Sequence, residues 1–587
     1  MNPMLFNLIH RPGINAMQWE AFKWQQDRTH DRGLKVTVLV TFHTLFDPDK
    51  VETLRNYQEV FGDELGIYLG DYNCPRFFDK MASNEPSYWL FSREDKQKVV
   101  ELLYEKFHEA FSFYPTATGA YCLDSSSVDV IKANYPATEV AIAGCFEEGV
   151  HVYHGCNNTW YLFGEGGPWW PWIPSKQNIH CPAANESEDS GIVGLPHLTR
   201  DMLLSIESRD DYFSSHPVGN LRGMIYTDDN VTSYFQDFMA ETRAQGRYNN
   251  GYAYCNIFAG PAWLVEDVCC WEVQTETCRT AYEKALDSLA QWKRQGQLTD
   301  MHMSEFARWY RRNRKEATPV VSLWHDILCG SEREAFWYID SDYRVLIDPN
   351  QGGAIVDLRP YVGRLERSVG ADTELLDDGS YPFVVHAEHR GGFRTHFGKG
   401  SICSCRVRYQ DQVVDLCERR TKGTYEDNAG QRRFVLDPVE VEFDGLKATI
   451  ASEFSFNHKA VIQVQRRFVA SSVPDATIDI EEYLNGCWGT NQYQKDLRGV
   501  TLVAAGARQR EELAYNYKCR KRQISDPESV AAIVPALKAE LALIPQLSAD
   551  RGEIEEGFVF QPFFTLSVTG SLREGEQTIT WLQLRNV

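Results

Sequence analysis

Four carboxylates stand at the ends of apolar runs. Asp71 closes LGIYLGD (65–71), Asp124 closes TGAYCLD (118–124), and Glu147 and Glu148 lie at the end of EVAIAGCFEE (139–148). His10 ends MLFNLIH (4–10), His43 follows VTVLVTF (36–42), and His197 lies in GIVGLPHL (191–198), with Arg200 and Asp201 just beyond. Two carboxylates facing one pocket can cleave an acetal. One, protonated, helps the leaving oxygen depart; the other, ionised, attacks or activates water. Asp124 is the favoured ionised partner, Glu147 the acid, and Asp71 a third catalytic candidate. Burial beside tryptophan would raise the Glu147 pKa, as an acid working near neutral pH requires. His10, Glu148, His197, Arg200 and Asp201 are then candidate substrate contacts. A carboxylate after a strand also serves as a helix N-cap, and Asp124, followed by Ser125, Ser126 and Ser127, fits that role too.

The stretch GEGGPWWPWIPSK (164–176) sets Trp169, Trp170 and Trp172 among Pro168, Pro171 and Pro174. Proline fixes φ and removes an N–H donor, so neither a helix nor a central strand fits, and the stretch reads as a loop. Indole faces stack on the C–H faces of sugar rings, while acids and cations bond the hydroxyls. At least one of these indoles is expected to line the pocket and stack on a sugar, with Lys176 nearby. The alternative is that the indoles plug a core.

A scaffold must bring these residues together. The runs above, with YAYCNIFAG (252–260), alternate with helical patterns near 15–31, 49–61, 92–111, 125–134 and 280–296. Such alternation implies parallel strands covered by helices, closed as a βα-barrel of roughly seven or eight strands whose C-terminal mouth gathers the polar residues. Residues 149–190 interrupt the rhythm as an aromatic insertion. From about residue 336 the texture changes. FWYIDSDYRVLIDPNQGGAIVDL (336–358) reads as two strands around a PNQGG turn, and the alternating runs that follow suit a β-sandwich. One helix is expected near 527–543, capped by Asp526 with Pro527 at its first position. The organisation is therefore α/β plus β: a barrel over 1–312, a helical linker over 313–335 and a sandwich-like domain over 336–587.

The formal charge of −22 opposes nucleic acid as a partner. The basic run RWYRRNRK (308–315) reads as the exposed end of a helix. No apolar run is long enough to span a membrane, and MNPMLFNLIHRPG lacks the pattern of an export signal, so a cytoplasmic protein without a membrane partner is expected. Fifteen scattered cysteines suit reduced thiols. His151, His154 and Cys156, the pair Cys269–Cys270, and Cys403 with Cys405 all lack metal-type CxxC spacing. No cofactor is expected, with a divalent ion as the alternative. The oligomeric state stays open, a homo-oligomer included.

A parallel barrel, an aromatic insertion and then YRVLIDPNQGGAIVDL opening a β-rich half resembles the glycoside hydrolase/deacetylase superfamily. That superfamily holds the family-57 amylases, the family-38 mannosidases and the polysaccharide deacetylases. MSEFARWYRRN (303–313) resembles late-barrel helices of deacetylase-like proteins. CFEEGVHVYHGCN, GGPWWPWIPSK and GLPHLTRDM are similar to a family known by an uncharacterised-domain label. The resemblance implies a carbohydrate substrate and, from family 57, a nucleophile ending the fourth strand, at Asp124. Glu266 and Asp267 are candidates for that family's acid/base. The paired aspartates and the His-x-x-x-His motif of polysaccharide deacetylases are not found here. The first reading is a two-carboxylate glycoside hydrolase. The others are a metal-dependent carbohydrate deacetylase or hydrolase using His10, Asp71 and His197, and a catalytically inactive carbohydrate-binding protein.

Overall fold

The computed structural model describes residues 2–13, 15–69, 88, 91–120, 123–142, 166–196, 228–265, 275–314, 319–327, 331–366, 381–386, 401–490, 493–547, 549–559 and 561–587. The chain forms two compact units, Met1–Val320 with Glu366–Ser380, and Val321–Leu365 with Tyr381–Val587.

The first unit is built on parallel strands: β1 Met4–His10, β2 Thr37–Val40, β3 Glu64–Tyr68, β4 Ala117–Gly119, β5 Val140–Ile142, β6 Val193–Leu195, β7 Tyr254–Ala259 and β8 Leu298–Asp300. Their order is β6-β5-β4-β3-β2-β1-β7, and β8 pairs with the first half of β1 while β2 pairs with its end. The strands are buried and mostly apolar, as parallel strands with two covered faces are. At the ends of this order, the Asn256 side chain of β7 donates to the Pro196 carbonyl just after β6 at 2.8 Å. A side-chain bond thus spans the place where a closed ring would have a ladder. The expected βα-barrel is present. Its helices are α1 Ala16–His30, α2 Pro48–Phe61, α3 Arg93–Phe111, α4 Ser125–Asn134, α5 Asp228–Ala244, α6 Thr275–Arg294 and α7 Met303–Asn313. Ser92 caps α3 by accepting from the Asp95 amide at 3.1 Å, as its sequence position predicts.

Helix α7 seals the N-terminal end of the barrel. The Met303 amide donates to the Thr37 hydroxyl at the start of β2, and the Ser304 amide donates to Glu64 at the start of β3. Arg308 pairs at 2.9 Å with Glu139, which precedes β5. Arg311 holds Asp189 through two bonds and donates to the Ile192 carbonyl beside β6. Phe306 packs on Tyr254 with ring centres 4.5 Å apart. The basic run is therefore spent largely on closing the barrel floor. Arg314 also donates to the Tyr252 hydroxyl at 2.8 Å.

In the second unit, antiparallel sheets face each other across a core of Val407, Ile480 and Leu572 from one and Val441, Ile450 and Phe468 from the other. Residues 320–325 are not helical. They form β9 (Val320–His325), next in the sheet to β10 (Glu334–Ile339), because VVSLW is a buried β-branched and aromatic run. β11 (Tyr343–Asp348) and β12 (Ala354–Pro360) make the predicted hairpin across Pro349–Gln351. Gly352 is required there: its φ is 62°, and a Cβ would stand 2.0 Å from the Leu416 carbonyl oxygen. The helix expected near 527–543 is instead two strands, Pro527–Val534 and Ala539–Pro545, around a single turn at Pro535–Leu537. Arg344 and Arg359 bracket Asp357 at 3.0 and 3.1 Å, all fully buried. Burial raises the Asp357 pKa, but the two guanidiniums outweigh it and hold the carboxyl well below its usual range.

Candidate functional site

Alternation along β1 and β7 sorts their side chains onto two faces. Asn7 accepts from the Tyr254 hydroxyl at 2.9 Å and donates to the Met301 carbonyl, and Asn256 donates to the same hydroxyl. These polar residues thus share the barrel's inner face. Two residues further on, Phe258 lies 6.1 Å from Tyr68 at the end of β3. The Arg11 guanidinium sits 5.0 Å from the Tyr68 ring centre. Arg11, Tyr68 and Phe258 therefore line the C-terminal mouth, a buried aromatic floor with a half-buried cation over it.

His10 points the other way, which corrects its expected role in substrate or metal binding. It bonds Gln26 of α1 at 2.6 Å and Tyr282 of α6 at 2.7 Å, so both ring nitrogens are used within the helical layer. Gln26 passes on to Asp63, which His30 also binds. Burial lowers the His10 pKa to about 4, with the Gln26 bond opposing and His30 adding to the shift. The native state therefore keeps His10 neutral while the unfolded chain takes up a proton below its ordinary value near 6.5. Stability is expected to be full above that value and to fall by about 3 kcal/mol as pH drops toward 4. His10→Gln should flatten the acid limb of a stability–pH curve. A residual slope from His386, also lowered to about 4 chiefly by burial, should remain.

Asp124 is the N-cap of α4. Its Oδ1 accepts from the Ser127 amide at 2.9 Å, the Ser127 hydroxyl at 2.6 Å and the Ser126 hydroxyl at 3.0 Å. Its Oδ2 meets Lys96 of α3 at 2.7 Å, with both side chains buried. Ser127 in turn bonds the Tyr88 hydroxyl. Burial pushes the Asp124 pKa up, yet the Lys96 charge and these hydrogen bonds win and lower it. The carboxylate is ionised, but its lone pairs hold a helix and an ammonium group. Attack on a substrate is not a role this geometry offers, and Asp124 is corrected from nucleophile to cap.

The proline-rich loop is also architecture. Trp172 exchanges both backbone hydrogen bonds with Gly194 of β6, at 3.0 and 2.8 Å. Its indole covers Gly194, where a Cβ would stand 2.9 Å from the ring, and its N–H donates to the Ile179 carbonyl at 2.8 Å. Trp169, Trp170 and Trp172 are 5%, 3% and 2% exposed, so none offers a free face to a sugar. Tyr310 of α7 anchors the loop through the Pro171 carbonyl at 2.9 Å. Trp172→Phe, which removes the N–H and shrinks the ring, should lower stability by about 1–2 kcal/mol and leave ligand affinity unchanged. Chemical denaturation and a binding titration check this.

With this geometry in view, residues 25–320 match the family described as "Domain of Unknown Function with solved-structure structure (DUF3863)". The chain belongs to this family. Its DUF3863 region begins within α1 and runs through β8 and α7, so β1 and Arg11 precede it. No curated protein matches. Among solved structures, the chain is similar to a candidate glycoside hydrolase/deacetylase from Parabacteroides distasonis, at 16% identity and TM-score 0.47, covering 63% of this chain and 87% of that one. A 4-alpha-glucanotransferase from Thermococcus litoralis aligns over both full chains at 9% identity and TM-score 0.29. A galactose mutarotase-like protein from Clostridium acetobutylicum aligns at 6% identity and TM-score 0.31, over 47% of this chain and all of that one. Likenesses this distant carry no reaction across.

Asp71, Glu147, Glu148, His197, Arg200 and Asp201 lie outside the described residues, as do Glu266, Asp267, His151, His154, Cys156, Cys269 and Cys270. Lys176 is exposed, with its ammonium on the Ser187 carbonyl at 3.0 Å. Among the described residues no group of three or more His, Cys, Asp or Glu side chains gathers as a metal site. Cys403 and Cys405 are free buried thiols. Among the described helices none is long and apolar enough to cross a membrane. The sequence reading missed Arg11, Tyr68 and Lys96. Lys96 had a signal: it sits in the apolar stripe of α3 with Val99, Val100 and Leu103, where a lysine requires a buried partner.

Proposed function

We propose that the DUF3863 protein hydrolyses glycosidic bonds at the C-terminal mouth of its barrel, with Asp71 and Glu147 as the two carboxylates. The observation that carries this reading is the asymmetry of the barrel. Its N-terminal end is sealed by α7 through Thr37, Glu64, Glu139 and Asp189. Chemistry in a parallel barrel belongs to the other end, and there Arg11 stands over an aromatic floor. Asp71 follows β3 by three residues in the sequence and Glu147 follows β5 by five, and the C-terminal ends of both strands belong to this mouth. Glu147 donates the proton and Asp71 is the ionised partner. Arg11, Glu148, His197, Arg200 and Asp201 bond sugar hydroxyls.

The reading is tested by incubating the purified protein with a panel of α- and β-linked oligosaccharides and measuring new reducing ends. Wild-type protein should turn over at least one, and Asp71→Asn and Glu147→Gln should not. The rate should be indifferent to EDTA.

A further inference from the structure

Apart from the mouth, the first unit holds a cavity of about 210 Å³ at the start of α4. Its charged lining is balanced: Arg93 and Lys176 against Asp129 and Glu366. Gln177, Ser125 and Ser126 complete the wall, which among the described residues has no aromatic or aliphatic side chain. Arg93 and Glu366 pair at 3.2 Å, with side chains 51% and 68% exposed, so the rim is open to solvent.

Ser125 is the residue whose chemistry is unspent. The hydroxyls of Ser126 and Ser127 both serve Asp124 in the helix cap. Ser125 is 6% exposed, and its hydroxyl has no hydrogen-bond partner among the described residues. A buried hydroxyl left unsatisfied is costly, and one that turns on a single bond readily meets an incoming oxygen. An anion entering here meets Asp129 and Glu366, and a cation meets Arg93 and Lys176. A neutral ligand rich in hydroxyls uses both sets, each hydroxyl donating a hydrogen bond to a carboxylate or accepting one from an ammonium, guanidinium or amide.

We propose that this cavity binds a neutral polyhydroxylated ligand the size of one sugar ring, through Asp129, Glu366, Lys176, Gln177 and the Ser125 hydroxyl. The site is independent of the hydrolytic reading of the mouth. A free monosaccharide and the terminal ring of a glycan share the chemistry, and the experiment separates them.

Saturation-transfer NMR on the full chain is the test, with glucose, galactose, mannose and xylose as free rings, maltose and cellobiose as chain ends, and inorganic phosphate as the anion probe. At least one sugar should bind, and Ser125→Val and Asp129→Asn should each weaken it by about tenfold. Lys176→Gln, at an exposed position, should weaken it in a chain whose circular dichroism is unchanged. Binding should survive Glu148→Gln, which weakens substrate contact at the mouth and so separates this cavity from it. Preference for the monosaccharides assigns free sugar; preference for the disaccharides assigns a chain end. Absence of sugar binding, binding indifferent to all three cavity variants, or displacement of the sugar by phosphate would overturn the proposal.

Discussion

Lys96→Met is expected to cost the first unit about 3–5 kcal/mol, the scale for removing one partner of a buried ion pair. Lys96 and Asp124 are 1% and 5% exposed at the side chain and 2.7 Å apart. Methionine matches the lysine stem and packs with Val99, Val100 and Leu103, so the loss would report the stranded Asp124 charge rather than a cavity. Asp124→Asn should destabilise by a similar route, because it strands the ammonium while leaving an amide able to cap α4. The double variant Lys96→Met/Asp124→Asn removes both charges and should recover most of the loss. Hydrogen exchange over residues 93–134, read by mass spectrometry across a urea series, isolates this unit. The pH dependence follows from the lowered Asp124 pKa. The pair's contribution should be full above the ordinary carboxylate value near 3.9 and be lost as pH falls through the lower native value. Full stability in Asp124→Asn together with lost turnover would return Asp124 to the role of nucleophile.

Glu147→Gln and Asp71→Asn are each expected to lower turnover by about 10²–10⁴-fold, the usual worth of a positioned acid or base. β4 lies between β3 and β5 in the sheet, which sets the two strand ends about 10 Å apart. A separation of roughly 5 Å between the two carboxylates would give retaining hydrolysis, and roughly 6.5–9.5 Å inverting hydrolysis. Both changes keep side-chain size, so binding of the intact oligosaccharide should persist. Glu148→Gln, a substrate contact in this account, should raise KM with kcat little changed. Equal turnover in wild type and Glu147→Gln would remove Glu147 from the reaction.

The places of the barrel strands along the chain were legible because buried parallel strands are written as unbroken apolar runs, and the PNQGG hairpin because its glycines demand a turn. The direction of individual side chains was not. His10 closes β1 and looks like a mouth residue, but alternation turns it toward α1 and α6 while Arg11 reaches the inner side. Applying period two from Asn7 and Ile9 would have separated them. The segment 527–543 is rich in alanine and leucine and reads as a helix by composition. Pro535 interrupts it, and Val530, Ala532 and Val534 are at 0% exposure while Ser529 and Ile533 are only partly buried. The tryptophan loop was recognised as rigid, but its partner was a neighbouring strand. Gly194 leaves room for an indole that sequence spacing does not announce.

The most direct test of hydrolysis at the mouth is proton NMR of acetylated oligosaccharides incubated with the purified protein. The three readings of this chain predict different products from one tube. Hydrolysis of a glycosidic bond predicts new anomeric signals from free reducing ends, no acetate, and loss of the reaction in Glu147→Gln. Free acetate without new reducing ends would make the protein a deacetylase, and unchanged sugar with broadened lines would make it a binding protein; either result would contradict the proposed function.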